Sequence, residues 1–281
     1  MKPLILAAVL FSTAAFAPTF AADAPPAAAP STPSADPPLQ FAPDPDLKNP
    51  AYTYRTCLDL TRTQPDKAIE LAGKWLGLSG GEPARHCQAL ALVALKEWGE
   101  GATRLEEIAA ESRQTPGVRA NMLAQAGQAW ILAGELPRAY AAQTTALQII
   151  PAGTRQQAEI LLDRASTLVE AAELDDAIAD INAALAVTPN NAEAMAFRAS
   201  AHRLKGDIDA ALSDADAALG FNAQNVAALL ERGNIYRIQR RVDEARRDWL
   251  KILDLEPTSA EADAARENIA RVDVDLGKVV K

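Results

Sequence analysis

The chain has 281 residues, a formal charge of −9 at neutral pH, and a composition that is 49% hydrophobic but only 5% aromatic. No basic stripe interleaved with aromatics offsets that acidity, which excludes nucleic acid as the natural partner and disfavours anionic membrane surfaces. With 2 cysteines and 2 histidines there is little material for a metal cluster or a redox motif.

In chain order the first element is a leader. Residues 1–21 read as a signal peptide: Lys2 is a minimal positive region, and "PLILAAVLFSTAAFA" is an apolar core too short to span a bilayer. Cleavage is expected after Ala21, because Pro18 follows the competing site at Ala17. The expected destination is the bacterial periplasm, or secretion, with no membrane insertion after cleavage. Residues 22–50, dominated by Pro, Ala and Asp, are expected to form a disordered or partly polyproline tether, with a Pro-rich docking segment as the alternative.

Residues 51–114 carry helical patterns of irregular quality. "TQPDKAIELAGKWL" predicts a helix with Pro65 in its first turn, and "EPARHCQALALVALKEWGEGATRLEEIAAE" predicts two more. From 115 onward the chain repeats. Ala177, Ala211 and Ala245 stand 34 residues apart, and Pro189 and Pro257 stand 68 apart. Met195, Ala199, His202, Gly206, Ala211, Ala215, Ala218 and Leu219 recur downstream as Leu229, Gly233, Tyr236, Arg240, Ala245, Trp249, Ile252 and Leu253. Upstream they recur as Leu161, Ala165, Leu168, Ala172, Ala177, Ile181, Ala184 and Leu185. Helix-length segments joined by short loops leave little room for strands, and the prolines mark where one helix stops and a polar turn begins.

These positions resemble the tetratricopeptide repeat (TPR) family, in which small residues let two antiparallel helices approach closely. The resemblance implies an all-α, right-handed solenoid of about six helix pairs, the first two divergent, closed by a polar capping helix from about 259 to 272. Within 115–281, "GQAWILAGELPRAYAAQTTALQIIP" supplies a looser unit. Its Ala139 lies 38 residues before Ala177, four more than the period, which predicts about one added helical turn.

Charge recurs with the repeat. Arg164 and Asp180, Arg198 and Asp214, and Arg232 and Asp248 are each 16 residues apart, while the unit around Trp130 has Ala126 and Ala142 at those places. Partners that disappear together predict structural ion pairs between the two helices of a unit.

The resemblance also implies a concave groove lined by the first helices of the units. Its matching positions are Asn121, Ala124, Gln128 and Ile131, then Glu159, Leu162, Ser166 and Val169. They continue with Glu193, Ala196, Ser200 and Arg203, and end with Ala227, Leu230, Asn234 and Arg237. Such a surface suits a peptide or helix of another protein. The Lys places of relatives that clamp a C-terminal carboxylate hold Ala124, Leu162, Ala196 and Leu230, so that clamp is missing, although Arg203 and Arg237 suit an acidic tail.

In an oxidising compartment Cys57 and Cys87 are first considered as a disulfide, and in the implied stack they lie on first helices of neighbouring units. The alternative gives Cys57, His86 and Cys87 a metal or redox role. Against it, a fourth ligand is missing, neighbours on a helix diverge by about 100°, and there is no Cys-x-x-Cys. His202 takes the place of Tyr236 and Leu168, so it is expected to pack rather than act as a base. "GLSGGEP" lacks the strand and Lys-Ser/Thr of a phosphate loop, and no cofactor is expected.

The expectation is a non-catalytic, exported scaffold that binds another envelope protein, of a partner identity the residues do not name. A chaperone-like assembly factor and self-association are the alternatives of the same class.

Overall fold

Thirteen α-helices joined by short turns, with no strand among the described residues, make up the computed structural model, which describes Leu47 and residues 49–279. The helices are α1 (Pro50–Thr63), α2 (Pro65–Gly77), α3 (Gly81–Ala94), α4 (Trp98–Glu111), α5 (Pro116–Leu132), α6 (Leu136–Ile149) and α7 (Arg155–Glu170). They continue as α8 (Leu174–Val187), α9 (Ala192–Lys205), α10 (Ile208–Phe221), α11 (Val226–Ile238), α12 (Val242–Leu255) and α13 (Ala260–Val279). The expected leader and nearly all of the expected tether lie outside the described residues. Pro50, placed by sequence at the end of the tether, is instead the first residue of α1, whose cap is the Asn49 side chain accepting from the Tyr52 amide at 3.2 Å.

Start signals alternate with position in the repeat. Asn49, Thr115, Thr154, Asn191 and Asn225 cap α1, α5, α7, α9 and α11 with their side chains, each satisfying an orphan amide of the first turn. The second helices have no such cap; α4, α6, α8, α10 and α12 instead follow tight turns through a left-handed residue. Gly134 and Gly206 hold that place in two turns, but Lys96, Ala172 and Arg240 hold it in others, at φ +68, +60 and +61°. A side chain there costs about 1 kcal/mol against the preceding carbonyl.

Each first helix packs on the second helix that follows it, and each second helix packs on the next first helix, so contacts run only between neighbours. The result is an all-α helical repeat. First helices also touch one another, α1 with α3, α5 with α7, α9 with α11 and α11 with α13, whereas second helices make no comparable contact with each other. The first helices therefore form the inner, closer-spaced side of the stack.

The buried core is rich in alanine, as close helix approach demands. The size of the residue across the interface decides between Ala and Gly. Ala165 faces Ile181 and Ala199 faces Ala215 within shared core clusters. A Cβ at Gly233 would stand 2.5 Å from Nε1 of Trp249, and one at Gly127 would stand 2.7 Å from Cγ of Gln143. Glycine is required where the partner helix sends in a large side chain.

Two expectations change in detail. The extra residues before Ala177 go mostly into the helix: α7 has 16 residues where α11 has 13, and the rest lengthen the preceding loop. The capping helix runs to Val279 rather than stopping near 272, since no proline interrupts residues 260–279.

At the other end, buried Cys57 on α1 and buried Cys87 on α3 stand at disulfide distance, with Cα atoms 6.1 Å apart and a sequence separation of 30. A bridge here ties the first helices of the two divergent units. The double substitution Cys57→Ser, Cys87→Ser should lower the unfolding free energy of this end by about 3 kcal/mol, the chain-entropy value for such a loop. Urea denaturation followed by circular dichroism, with and without reductant, measures it; the variant should be indifferent to reductant.

Candidate interaction surface

Three arginines organise the units. Arg164 on α7 donates from Nε and Nη2 to the two carboxylate oxygens of Asp180 on α8, both at 2.7 Å, and from Nη1 to Thr144 on α6 at 3.1 Å. Arg198 on α9 repeats this with Asp214 at 2.7 and 2.6 Å and with Asn182 of α8 at 2.6 Å. Arg232 on α11 does the same with Asp248 at 2.8 and 2.9 Å and with Asp216 of α10 at 2.9 Å. Each guanidinium thus binds three helices: its own, the second helix of its unit, and the second helix of the unit before. Donation from Arg164 to Asp180, and from Arg232 to Asp248, pushes both guanidinium pKa values up, so the charges are permanent. In the unit without the pair, buried Gln143 accepts from Thr167 at 2.8 Å and donates to the Asp163 carbonyl at 3.1 Å.

The inner side has its own cross-links, and they consume several residues that the sequence suggests for a groove. Gln128 on α5 donates to Asp163 on α7 at 3.1 Å. Gln156 on α7 reaches back to Asn121 at 2.7 Å and to the Gly117 carbonyl at 2.6 Å. Arg203 on α9 is bidentate on buried Glu231 of α11, at 2.5 and 3.2 Å, so it is not a free cation for an acidic tail. Asn268 on α13 donates to Asn234 on α11 at 2.9 Å, and Ser200 is only 8% exposed. Glu159 is engaged by Arg155 at 3.0 Å. Glu193 and Arg237 are exposed and Ser166 is half-buried.

Sequence reasoning missed Asp163, Glu231 and Asn268, the far halves of these links, and Gln125, which pairs with His86 between α3 and α5. A signal existed. Asp163, Phe197 and Glu231 each stand two residues before the small residue of their unit, so two carboxylates share a position with a phenylalanine.

Burial holds the Asp163 carboxyl up at about 6, against the bond from Gln128, with Glu159 adding to the rise. A raised value means that the neutral form is the one the fold prefers. Asp163 therefore contributes stability below the unfolded value near 4, and that contribution is lost as pH rises through 6.

The possible metal or redox group is not a ligand set. Gln125 Oε1 lies 2.8 Å from His86 Nε2 and Tyr54 Oη lies 2.7 Å from Nδ1. Since an amide oxygen only accepts, Nε2 carries the proton and Nδ1 accepts from the tyrosine. Burial keeps the imidazole pKa low and raises Tyr54 to about 12, which suits this neutral chain. The histidine's lone pair is spent and the sulfurs face each other. No group of three or more His, Cys, Asp or Glu able to hold a metal occurs among the described residues.

The signature of the tetratricopeptide repeat matches residues 162–226 and again 205–262. Residues 162–262 are therefore tetratricopeptide repeats. The fold of the chain is shared with PilF of Pseudomonas aeruginosa, at TM-score 0.58 and 16% identity over 78% of this chain and 97% of that one. MamA from Desulfovibrio magneticus gives 0.52 and 16% over 63% and 96%. A chain of the APC/C hetero-tetramer Cut9-Hcn1 gives 0.59 and 13% over 80% and 43%. Identities this low establish the repeat fold alone. No curated protein sequence matches the chain. The repeat fold is that of a protein–protein interaction scaffold.

The arginine ladder and Asp163 have opposite expected effects when altered. Asp214→Ala, which strands Arg198, should destabilise by about 2–3 kcal/mol, below the full value for a buried pair because the Arg198 side chain is 24% exposed. Adding Arg198→Met should recover most of that loss in urea denaturation. Asp163→Asn keeps the acceptor for Gln128 and should stabilise by about 2 kcal/mol at pH 7.5. The gain should vanish near pH 4, which paired urea midpoints at the two pH values measure.

Proposed function

We propose that this repeat protein is a non-catalytic scaffold of the bacterial periplasm, which holds a peptide or helix of another envelope protein along the inner faces of α7 and α9. The supporting observation is where hydrogen-bonding capacity remains. Polar links join α3 to α5, α5 to α7, α9 to α11 and α11 to α13. Between α7 and α9 Phe197 stands in place of the carboxylate and packs with Leu162 and Val169. Ser166 and exposed Glu193 are left beside partly buried Leu162, Val169 and Met195. Apolar patches with a few unspent polar groups are what a bound backbone requires.

The periplasmic part of the reading rests on the leader-like residues 1–21 and on the cysteine pair, which persists as a disulfide in an oxidising compartment. No helix among the described residues is long and apolar enough to cross a membrane.

Photo-crosslinking amino acids at Ser166 and Glu193, with a matched set at exposed Ala179 and Ala217 on the second helices, test the inner face in cells. A dominant envelope protein caught by the inner set alone is the expected result. A broad mixture of clients would mean a chaperone-like holder, and equal capture on both faces would sink the groove.

A further inference from the structure

The turn between α11 and α12 differs from its sister turns in charge. The residue that caps the second helix is Glu97, Glu135, Glu173 and Asp207 in four units, and Arg241 in the last. An anion suits the positive end of a helix and a cation does not. The preceding residue is left-handed, and here it is Arg240 at φ +61°, where Gly134 and Gly206 serve in two sister turns and Lys96 and Ala172 in two others. Arg241 recovers something by stacking over Tyr236, 4.1 Å from the ring centroid, and by pairing with Glu244 at 3.2 Å. Both Arg240 and Arg237, one turn earlier, are exposed, and neither makes an ion pair among the described residues. The counterpart of Arg237, Arg203, is satisfied by Glu231 in the next unit, but the matching place beyond Arg237 holds buried Ala265.

Two uncompensated cations therefore project from the end of an acidic chain. Between them sits Ile238, 45% exposed, and at the same register on the adjoining helix α9 sits Leu204, 38% exposed. Local preferences broken with no gain inside the fold point to a gain outside it. We infer that the ends of α9 and α11, with the α11–α12 turn, form a docking edge for an acidic protein segment that carries aliphatic side chains between its carboxylates. Arg237 and Arg240 take the carboxylates, Ile238 and Leu204 take the aliphatic groups, and Arg241 over Tyr236 bounds the far side. Charge complementarity selects this occupant, since a basic or purely apolar segment would leave the two guanidiniums unpaired. The edge lies at the helix ends and does not depend on the α7–α9 surface.

Fluorescence anisotropy on the full chain tests this, with a short fluorescein-labelled peptide in which leucines alternate with pairs of glutamates. The variant Arg237→Gln, Arg240→Gly retains the fold, because glycine is the native choice at that φ, and should melt no earlier than the wild type. It should bind the probe about five- to tenfold more weakly, the worth of two exposed charge pairs. Replacing the peptide's leucines by serines should weaken binding comparably. Unchanged affinity in the double variant would overturn the inference. So would an equal loss on removing the same charge elsewhere (Arg55→Gln, Arg113→Gln), or equal binding of the serine peptide. Loss of the probe on substituting Ser166 and Glu193 would overturn it too and move the acidic ligand to the inner face.

Discussion

Everything in this molecule depends on the register between successive helix pairs, and three guanidiniums hold that register. A helix pair that slid against its neighbour could keep most of an alanine-rich core, because alanine packs with little directional demand. Arg164, Arg198 and Arg232 remove that freedom. A bidentate pair fixes a first helix to its own second helix, and the third nitrogen fixes both to the unit before. The same geometry repeated unit by unit makes the stack uniform. In the unit without the arginine, Gln143 ties α6 to α7 with neutral bonds.

The inner side follows a different logic. Its links use a different pair of side chains at every junction: histidine with glutamine, glutamine with aspartate, arginine with glutamate, and asparagine with asparagine. The α7–α9 junction alone is closed by an apolar side chain, Phe197. A surface that satisfies its own polar groups nearly everywhere has few places where an incoming backbone gains more than it displaces. The middle of the stack and the Arg237–Arg240 edge are such places for opposite reasons, the first because bonding capacity was never spent and the second because charge was never matched.

The sequence is most transparent where chemistry recurs. The period, the helix pairs and the arginine–aspartate links are all legible because partner and spacing repeat together, and the 16-residue interval survives wherever both partners do. The inner links are opaque for the converse reason. Gln128 and Asn234 look like free amides until the residue about one period later is set beside them, and the pairing changes from junction to junction. Arg203 is the sharpest instance. Read alone it is a cation in a groove, and Glu231, 28 residues on, changes it into a structural tie. Boundaries were less readable, as the extent of α13 shows, because a polar helix at the end of a stack has no apolar pattern to announce where it stops.

The Cys57–Cys87 pair gives the stack a direction. In an array whose contacts reach only neighbouring units, melting starts at whichever end is least held. Cysteines at disulfide distance on α1 and α3 suit that end to be closed to the process, while α13 packs on α12 and α11. Loss of order should then travel from the last unit inward, like a zipper with one end sewn shut. The exceptional turn at Arg240 sits at the open end, so whatever grips it also acts as the missing stitch.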